Sequence, residues 1–336
     1  MNRRQFLASS AASAVVVGCA RPPAAPGAKS VSASEARVIP VQRKAREEHL
    51  RMLEGFRVPA TAKRTTPPRP VEMAKLFPDL DLRTRLRATS RLHPRFGDEP
   101  APGETKIGGR FWWPASDPWP TCETFGVPLV PVLQVRMEDT PPSVKFKPGT
   151  DLLQVLWSPR DHDEHGPKPQ LYWRKAADVK EPLAEYPSTE FALMDSVPVA
   201  CRAFPEQVTE FPDWATIRVT PLGDQIRAWK PPAGGDPVDL YQKQLSAAPG
   251  TKVGGFPFWK GEAKPPACGT CRRGMDYLLT IDSDEWGNAS WVPTEEAGKP
   301  ATPGLSKAPG LTLPAPGNRH AFVCRRCPDW PASWVG

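Results

Sequence analysis

The chain has 336 residues, a formal charge of +7, 39% hydrophobic residues, 12 Trp and 13 Phe, which excludes a wholly disordered chain and supports one large core or two smaller ones. Pro and Gly fill 69 positions, about a fifth and below the level of low-complexity chains, so the expected structure is rich in turns and short strands. Charge is polarised: residues 36–97 hold 15 Lys or Arg against 6 Asp or Glu, leaving residues 98–336 net negative, which is not the footprint of a nucleic-acid binder.

In chain order, Arg3-Arg4-Gln5-Phe6-Leu7 followed by small and apolar residues to Gly18 reads as a twin-arginine signal peptide over residues 1–18. The uncharged stretch falls short of the ~20 apolar residues a spanning helix needs. Val16-Val17-Gly18-Cys19 resembles the bacterial lipobox, so Cys19 is the expected lipidation site, with an ordinary signal peptide as the alternative. The lipid anchor is then the expected membrane partner, and a periplasm-facing envelope lipoprotein the expected address. Residues 19–35, rich in Pro, Ala and Ser, read as a flexible tether, and residues 36–97 as a basic helical arm, either solvated or lying against anionic headgroups or wall polymer. Within the arm, Val41, Ala45, Met52, Leu53 and Phe56 fall near a helical period between Pro40 and Gly55.

Beyond Phe96 the pattern turns to strands of 5 to 8 residues separated by Pro and Gly. An internal repeat organises them. Thr105-Lys-Ile-Gly-Gly109 recurs as Thr251-Lys-Val-Gly-Gly255, and the register holds from Thr105–Val135 to Thr251–Ile281 with nine identities in 31 positions, among them Trp113/Trp259, Pro120/Pro266, Cys122/Cys268 and Leu133/Leu279. Such self-similarity predicts two related β modules packed as a pseudo-dimer, the first over residues 98–230 and the second over 231–336. The fold class expected is mainly β (α+β): two pseudo-symmetric antiparallel modules behind a short N-terminal helical region.

Cys268-Gly-Thr-Cys271 and Cys324-Arg-Arg-Cys327 form two C-x-x-C pairs. Four thiolates on two knuckle turns make a closed tetrahedral zinc site, which is structural because no position is left for water or substrate. Two disulfides are the alternative in an oxidising compartment. A redox reading of Cys268-Gly-Thr-Cys271 lacks the helix N-terminus that lowers such a cysteine's pKa. In the first repeat Cys122 matches Cys268, Phe125 stands at the place of Cys271, and Val155 and Ser158 are expected to match Cys324 and Cys327, so that module is read as metal-less. Cys122 and Cys201 are left as free buried thiols or one disulfide.

Lys252-Val-Gly-Gly-Phe-Pro-Phe-Trp259, the Cys-Gly-x-Cys knuckle, Met275-Asp-Tyr-Leu-Leu-Thr-Ile-Asp-Ser-Asp-Glu285 and His320-Ala-Phe-Val-Cys-x-x-Cys327 together resemble the YwqG-like domain family of unknown function. They are similar, more distantly, to the programmed cell death protein two family. The resemblance covers roughly residues 104–330 and implies a mainly β, pseudo-symmetric fold with a zinc knuckle and no catalytic residues to carry over. The eukaryotic relatives look like binding proteins that chaperone a client.

Two acidic clusters remain. Asp161-His-Asp-Glu-His165 lies between Pro159 and Pro167 and reads as a polar loop; Asp282-Ser-Asp284-Glu285 lacks calcium-loop spacing and reads as a strand-end turn. Phe111-Trp112-Trp113 and Trp330–Trp334 are candidates for stacking on a sugar or a partner, against the usual fate of buried Trp. The expected function is a membrane-anchored binding or accessory protein with a protein or cell-wall partner and aromatic residues around the two Gly-Gly segments as contact surface. The alternative is an envelope enzyme acting on wall polymer or on thiols.

Overall fold

The structure, a computed structural model, describes residues 33–68, 86–161, 166–188, 192–231, 234–287, 289–299 and 303–336. The signal peptide, Cys19, most of the tether and the His162–His165 part of the acidic loop lie outside the described residues.

The fold is mainly β, as expected, with two antiparallel sheets. The first repeat supplies β2 (Lys106–Ile107), β3 (Val130–Arg136), β4 (Leu152–Asp161) and β5 (Pro167–Arg174); the second supplies β8 (Lys252–Gly254), β9 (Asp276–Asp282), β10 (Asn318–Val323) and β11 (Ala332–Val335). Three further strands are β1 (Arg87–Arg91), β6 (Cys201–Arg202) and β7 (Glu206–Glu210). One sheet runs β5-β4-β3-β2-β6 and the other β11-β10-β9-β8-β1-β7. The repeat strands thus occupy the same order in each. Apolar runs such as Val130–Val135 and Leu278–Ile281 contribute to one core that the two sheets share: Ile107, Leu133 and Val155 meet Val253, Leu279 and Ile281 in a single cluster.

The sheets do not respect the module boundaries expected from the sequence. β1, at the end of the basic arm, pairs with β8 of the second module (Thr89↔Gly254, Arg91↔Lys252), and β7, within the first module, joins that same sheet, while β6 stays with β2 of the first (Lys106↔Arg202). The two exchanged segments also pair with each other, from Arg87↔Glu210 through Arg91↔Glu206 to the Arg95↔Arg202 bridge. This ladder carries the chain across a pseudo-two-fold near His93, whose φ of +43° marks the crossing. The same symmetry matches Thr105 Oγ1 on Asp139 (2.5 Å) with Thr251 Oγ1 on Glu285 (2.7 Å).

The described part of the arm is not a solvated appendage. Helix α1 (Ala33–Glu54) begins eight residues before the expected Val41 and runs through Pro40 at the cost of one backbone donor. It docks Leu53 fully into the shared core, and Arg46 donates to the Val197 carbonyl. Three arm arginines point inward: Arg64 and Arg95 both bond Glu296, and Arg91 reaches the carbonyls of Glu285 and Trp291. These cations are therefore not free to meet headgroups.

Between the modules a small helical cluster, α2 (Trp214–Ile217), α3 (Pro221–Ala228) and α4 (Pro237–Gln244), packs Phe211, Ile217, Leu222, Ile226, Tyr241 and Leu245 together. It straddles the expected boundary at 230/231. Asp213 and Asp236 cap α2 and α4 by accepting from Ala215 N and Asp239 N, and Pro221 and Pro237 stand in first turns. A last short helix, α5 (Pro303–Ser306), precedes β10.

Candidate metal centre

The four cysteines are brought together by strand pairing. β9 and β10 are antiparallel neighbours with Asp276 opposite Val323, so the turn entering β9 and the turn leaving β10 lie at the same end of the ladder. The first turn is closed by Cys268 N donating to Arg273 O and Arg272 N donating to Cys268 O, with Arg272 at φ +60°. The second is closed by Cys324 N donating to Pro331 O and Trp330 N donating to Cys327 O.

Across the turns Cys268 Sγ lies 3.9 Å from Cys327 Sγ and Cys271 Sγ 3.6 Å from Cys324 Sγ; Cys324 and Cys327 are 3.7 Å apart. All four sulfurs fall within 4.8 Å of one another. A tetrahedral ion with metal–sulfur bonds of about 2.3 Å requires sulfur separations of about 3.8 Å, so the set fits a metal ion, and none of the six cysteines of the described residues is in a disulfide. Cys268, Cys324 and Cys327 are buried and Cys271 half-buried, with Met275 packed against them.

The backbone prepares the first ligand. The N–H groups of Cys271 and then Thr270 face the Cys268 sulfur and pull its pKa down to about 6. Burial pushes Cys327 up to about 12, and its sulfur neighbours push the same way. Without a metal the thiolate is thus favoured at Cys268 and the proton at Cys327, and a bound ion displaces protons from its ligands. Four protein sulfurs around one ion would complete a tetrahedron and leave no open position.

The first module keeps the knuckle without the ligands. Cys122 N donates to Val127 O and Gly126 N to Cys122 O, with Gly126 at φ +64°, bond for bond as in the second. Phe125 takes the place of Cys271 and packs into an apolar cluster with Trp113, Leu129 and Leu156. The expected match of Val155 and Ser158 with Cys324 and Cys327 is three residues out of register: Leu133↔Val155 and Leu279↔Ala321 equate Ser158 with Cys324 and Asp161 with Cys327. The β9–β10 connection is 20 residues longer than the β3–β4 connection, so matching residues across it by eye fails. Ser158 and Cys122 still line one small void.

Other sequence candidates resolve as structure. Asp282 accepts from Lys260 Nζ at 2.6 Å and from Asp284 N; Asp284 accepts from Trp286 N, and Glu285 from Thr251. Cys122 and Cys201 are separate buried thiols. Phe111 and Trp113 are buried, and Trp330 and Trp334 pack against the shared core. Of the two Gly-Gly segments, Gly108 and Gly109 are covered by Pro198–Ala200. Gly254 and Gly255 instead floor a groove of about 630 Å³ lined by Arg87, Phe256, Trp259, Met275, Tyr277 and Phe322. Arg87 comes from the exchanged strand β1, so this wall of the groove does not follow from the second module's own segment.

In sequence comparison the chain matches no protein-family model and no curated protein.

Proposed function

We propose that the protein is a membrane-anchored lipoprotein of the bacterial envelope that binds a partner, with a zinc ion as the structural clip of its second module. The observation that carries this reading is the closed four-sulfur cluster, the one group of metal-ligating side chains that converges among the described residues. Thiolate donors in a tetrahedral set suit zinc, and export of the folded chain lets the ion be loaded in the reducing cytoplasm. Arg3-Arg4 and the lipobox at Cys19 support the address. Among the described residues no helix is long and apolar enough to cross a membrane, and anchoring is assigned to the acyl chains on Cys19. The motif resemblance to the YwqG-like family is read as distant kinship, supported by the two-fold arrangement of its Gly-Gly and Trp segments.

Binding is preferred to catalysis because Asp282 and Glu285 are buried away from solvent, Asp282 Oδ1 held by Lys260 and Glu285 by Thr251. Thiol exchange is disfavoured because Cys268, the sulfur with the lowered pKa, is fully buried and an attacking thiolate must be accessible. The test is metal analysis with thiol titration on protein purified without reductant. One zinc per chain, with four thiols protected until a chelator is added, is the expected result; no metal and two disulfides would overturn the zinc assignment. Cys19→Ser is expected to move the mature protein from the membrane to the soluble fraction, and retention at the membrane would overturn the lipid anchor.

A further inference from the structure

The two modules treat equivalent surfaces differently. In the first, residues 181–186 leave the sheet after β5 and fold back as an extended segment along Trp113–Ala115. Ala115 N donates to Glu181 O at 2.8 Å, Leu183 N donates to Trp113 O at 2.7 Å, and Pro114 is bridged to Pro182. Leu183 packs into the cluster of Trp113, Trp119, Leu129 and Leu156, and the Tyr186 ring meets Trp119 edge-on at 5.5 Å while its hydroxyl donates to Phe111 O.

The repeat register carries Trp113 to Trp259 and Ala115 to Gly261. In the second module, among the described residues, no backbone group takes up the Trp259 carbonyl or the Gly261 N–H. A Cβ on Gly261 would meet no atom within 4 Å. Trp259, Met275 and Phe322, the counterparts of Trp113, Leu129 and Leu156, line the open groove of about 630 Å³. The charge differs in the same sense. The covering segment of the first module carries Glu181 and Glu185, and the groove of the second offers Arg87, beside Arg325 paired with the one carboxylate, Asp276, at 3.3 Å.

We propose that this groove binds an extended, acidic, Pro-Leu-containing peptide segment of a partner protein, seated as residues 181–186 are seated on the first module. The peptide accepts from Gly261 N and donates to Trp259 O, adding a strand by main-chain bonds. Its leucine enters between Trp259, Met275 and Phe322, and its acidic residues face Arg87. The inference deepens the binding-protein reading and rests on it, naming the chemistry of the partner.

The probe is a capped, fluorescein-labelled peptide of this chain's own Lys180–Ser188 sequence, titrated into the full mature protein and read by anisotropy. Saturable binding is expected at sub-millimolar concentration. Leu183→Asp in the peptide, or Gly261→Pro in the protein, is expected to weaken it by about ten-fold or more, the second because it deletes the docking N–H. Gly261→Pro also separates this groove from exchange with the built-in segment on the first module, which it does not touch. A photocrosslinker at Thr216, on the groove wall, should capture the peptide. No saturation in protein that retains its metal and its cooperative unfolding would overturn the proposal while leaving the zinc reading intact. Equal binding to the Gly261→Pro variant would overturn it as well. So would a crosslink from Thr216 to residues 69–85 of the same chain or to a second copy, each of which would assign the groove to another occupant.

Discussion

Replacing Lys252 with methionine removes one half of an ion pair that has no access to water. Lys252 Nζ donates to both Glu210 oxygens at 2.9 Å, and both side chains are 0% exposed. Glu210 also accepts from Ala248 N and Phe256 N, each at 2.6 Å, so the carboxylate ties β7, the 246–250 turn and the Gly254–Gly255 segment together. Lys252→Met leaves that carboxylate buried with two donors and no counter-charge, a loss of about 3–5 kcal/mol in unfolding free energy. Lys252→Met with Glu210→Gln removes both charges and keeps an amide oxygen for the backbone donors, so the pair should cost less than Lys252→Met alone. The assay is equilibrium urea unfolding, with the midpoint read at an unchanged slope. The pH dependence carries a sign. Burial already raises the Glu210 pKa, and removal of Lys252 raises it further above its unfolded value. A raised carboxyl pKa contributes stability below the unfolded value and loses it as pH rises through the folded one, so the deficit of Lys252→Met should narrow on going from pH 7 to pH 4. A cost below about 1 kcal/mol, or simple additivity of the two substitutions, would refute the reasoning.

Three further outcomes are expected. Cys324→Ala should release the metal and lower the unfolding free energy by more than about 4 kcal/mol, whereas Cys122→Ala in the metal-less knuckle should cost about 1–2 kcal/mol and leave the metal bound, as metal analysis and denaturation would show. Glu285 is fully buried against Thr251, and burial pushes its pKa up to about 7; its contribution of about 3 kcal/mol is present below pH 4.5 and lost as pH rises through 7, so the wild type should lose stability relative to Glu285→Gln between pH 5 and 8. Gly255→Ala places a Cβ 2.1 Å from Glu210 Oε1 at a φ of +73° and should cost more than about 2 kcal/mol, while Gly261→Ala should stay within about 0.5 kcal/mol, both measured by urea unfolding.

The repeat strands and the cysteine cluster were legible because their signals are local: Gly pairs, apolar runs and C-x-x-C knuckles fix short-range geometry wherever they occur. What was not legible is non-local. Arg87-Ala-Thr-Ser-Arg91 has the composition of a solvated arm, yet it is a central strand with Ser90 and Arg91 buried, because partners from residues 66, 139, 285 and 291 satisfy its polar groups. Nothing within five residues announces those partners. The helices of residues 214–244 did carry a local signal, Asp213, Asp236 and the first-turn prolines, but the prolines read as breakers when the surrounding pattern is taken for strands. The groove is non-local too: its floor is in the repeat and its wall, Arg87, is in the arm.

The asymmetry of the two knuckles follows from where each lies along the chain. The first is followed by residues 175–186, which return over its aromatic face and let Phe125, Trp119, Tyr172 and Leu183 build an apolar cluster around Cys122. Burial of that size holds a pair of turns without help. Among the described residues no such segment covers the second knuckle, and its cluster is four cysteines and Met275. A cluster that small cannot offset the entropy of fixing two turns, and a tetrahedral ion, whose binding free energy is folding free energy, can. On this argument the ligands were dispensable where the chain could cover its own groove and are required where the groove stays open. Grafting the four ligands onto the first module, by Phe125→Cys, Ser158→Cys and Asp161→Cys alongside Cys122, should therefore bind a second ion but add little stability, while grafting Phe125 and Ser158 into the second as Cys271→Phe and Cys324→Ser should unfold it.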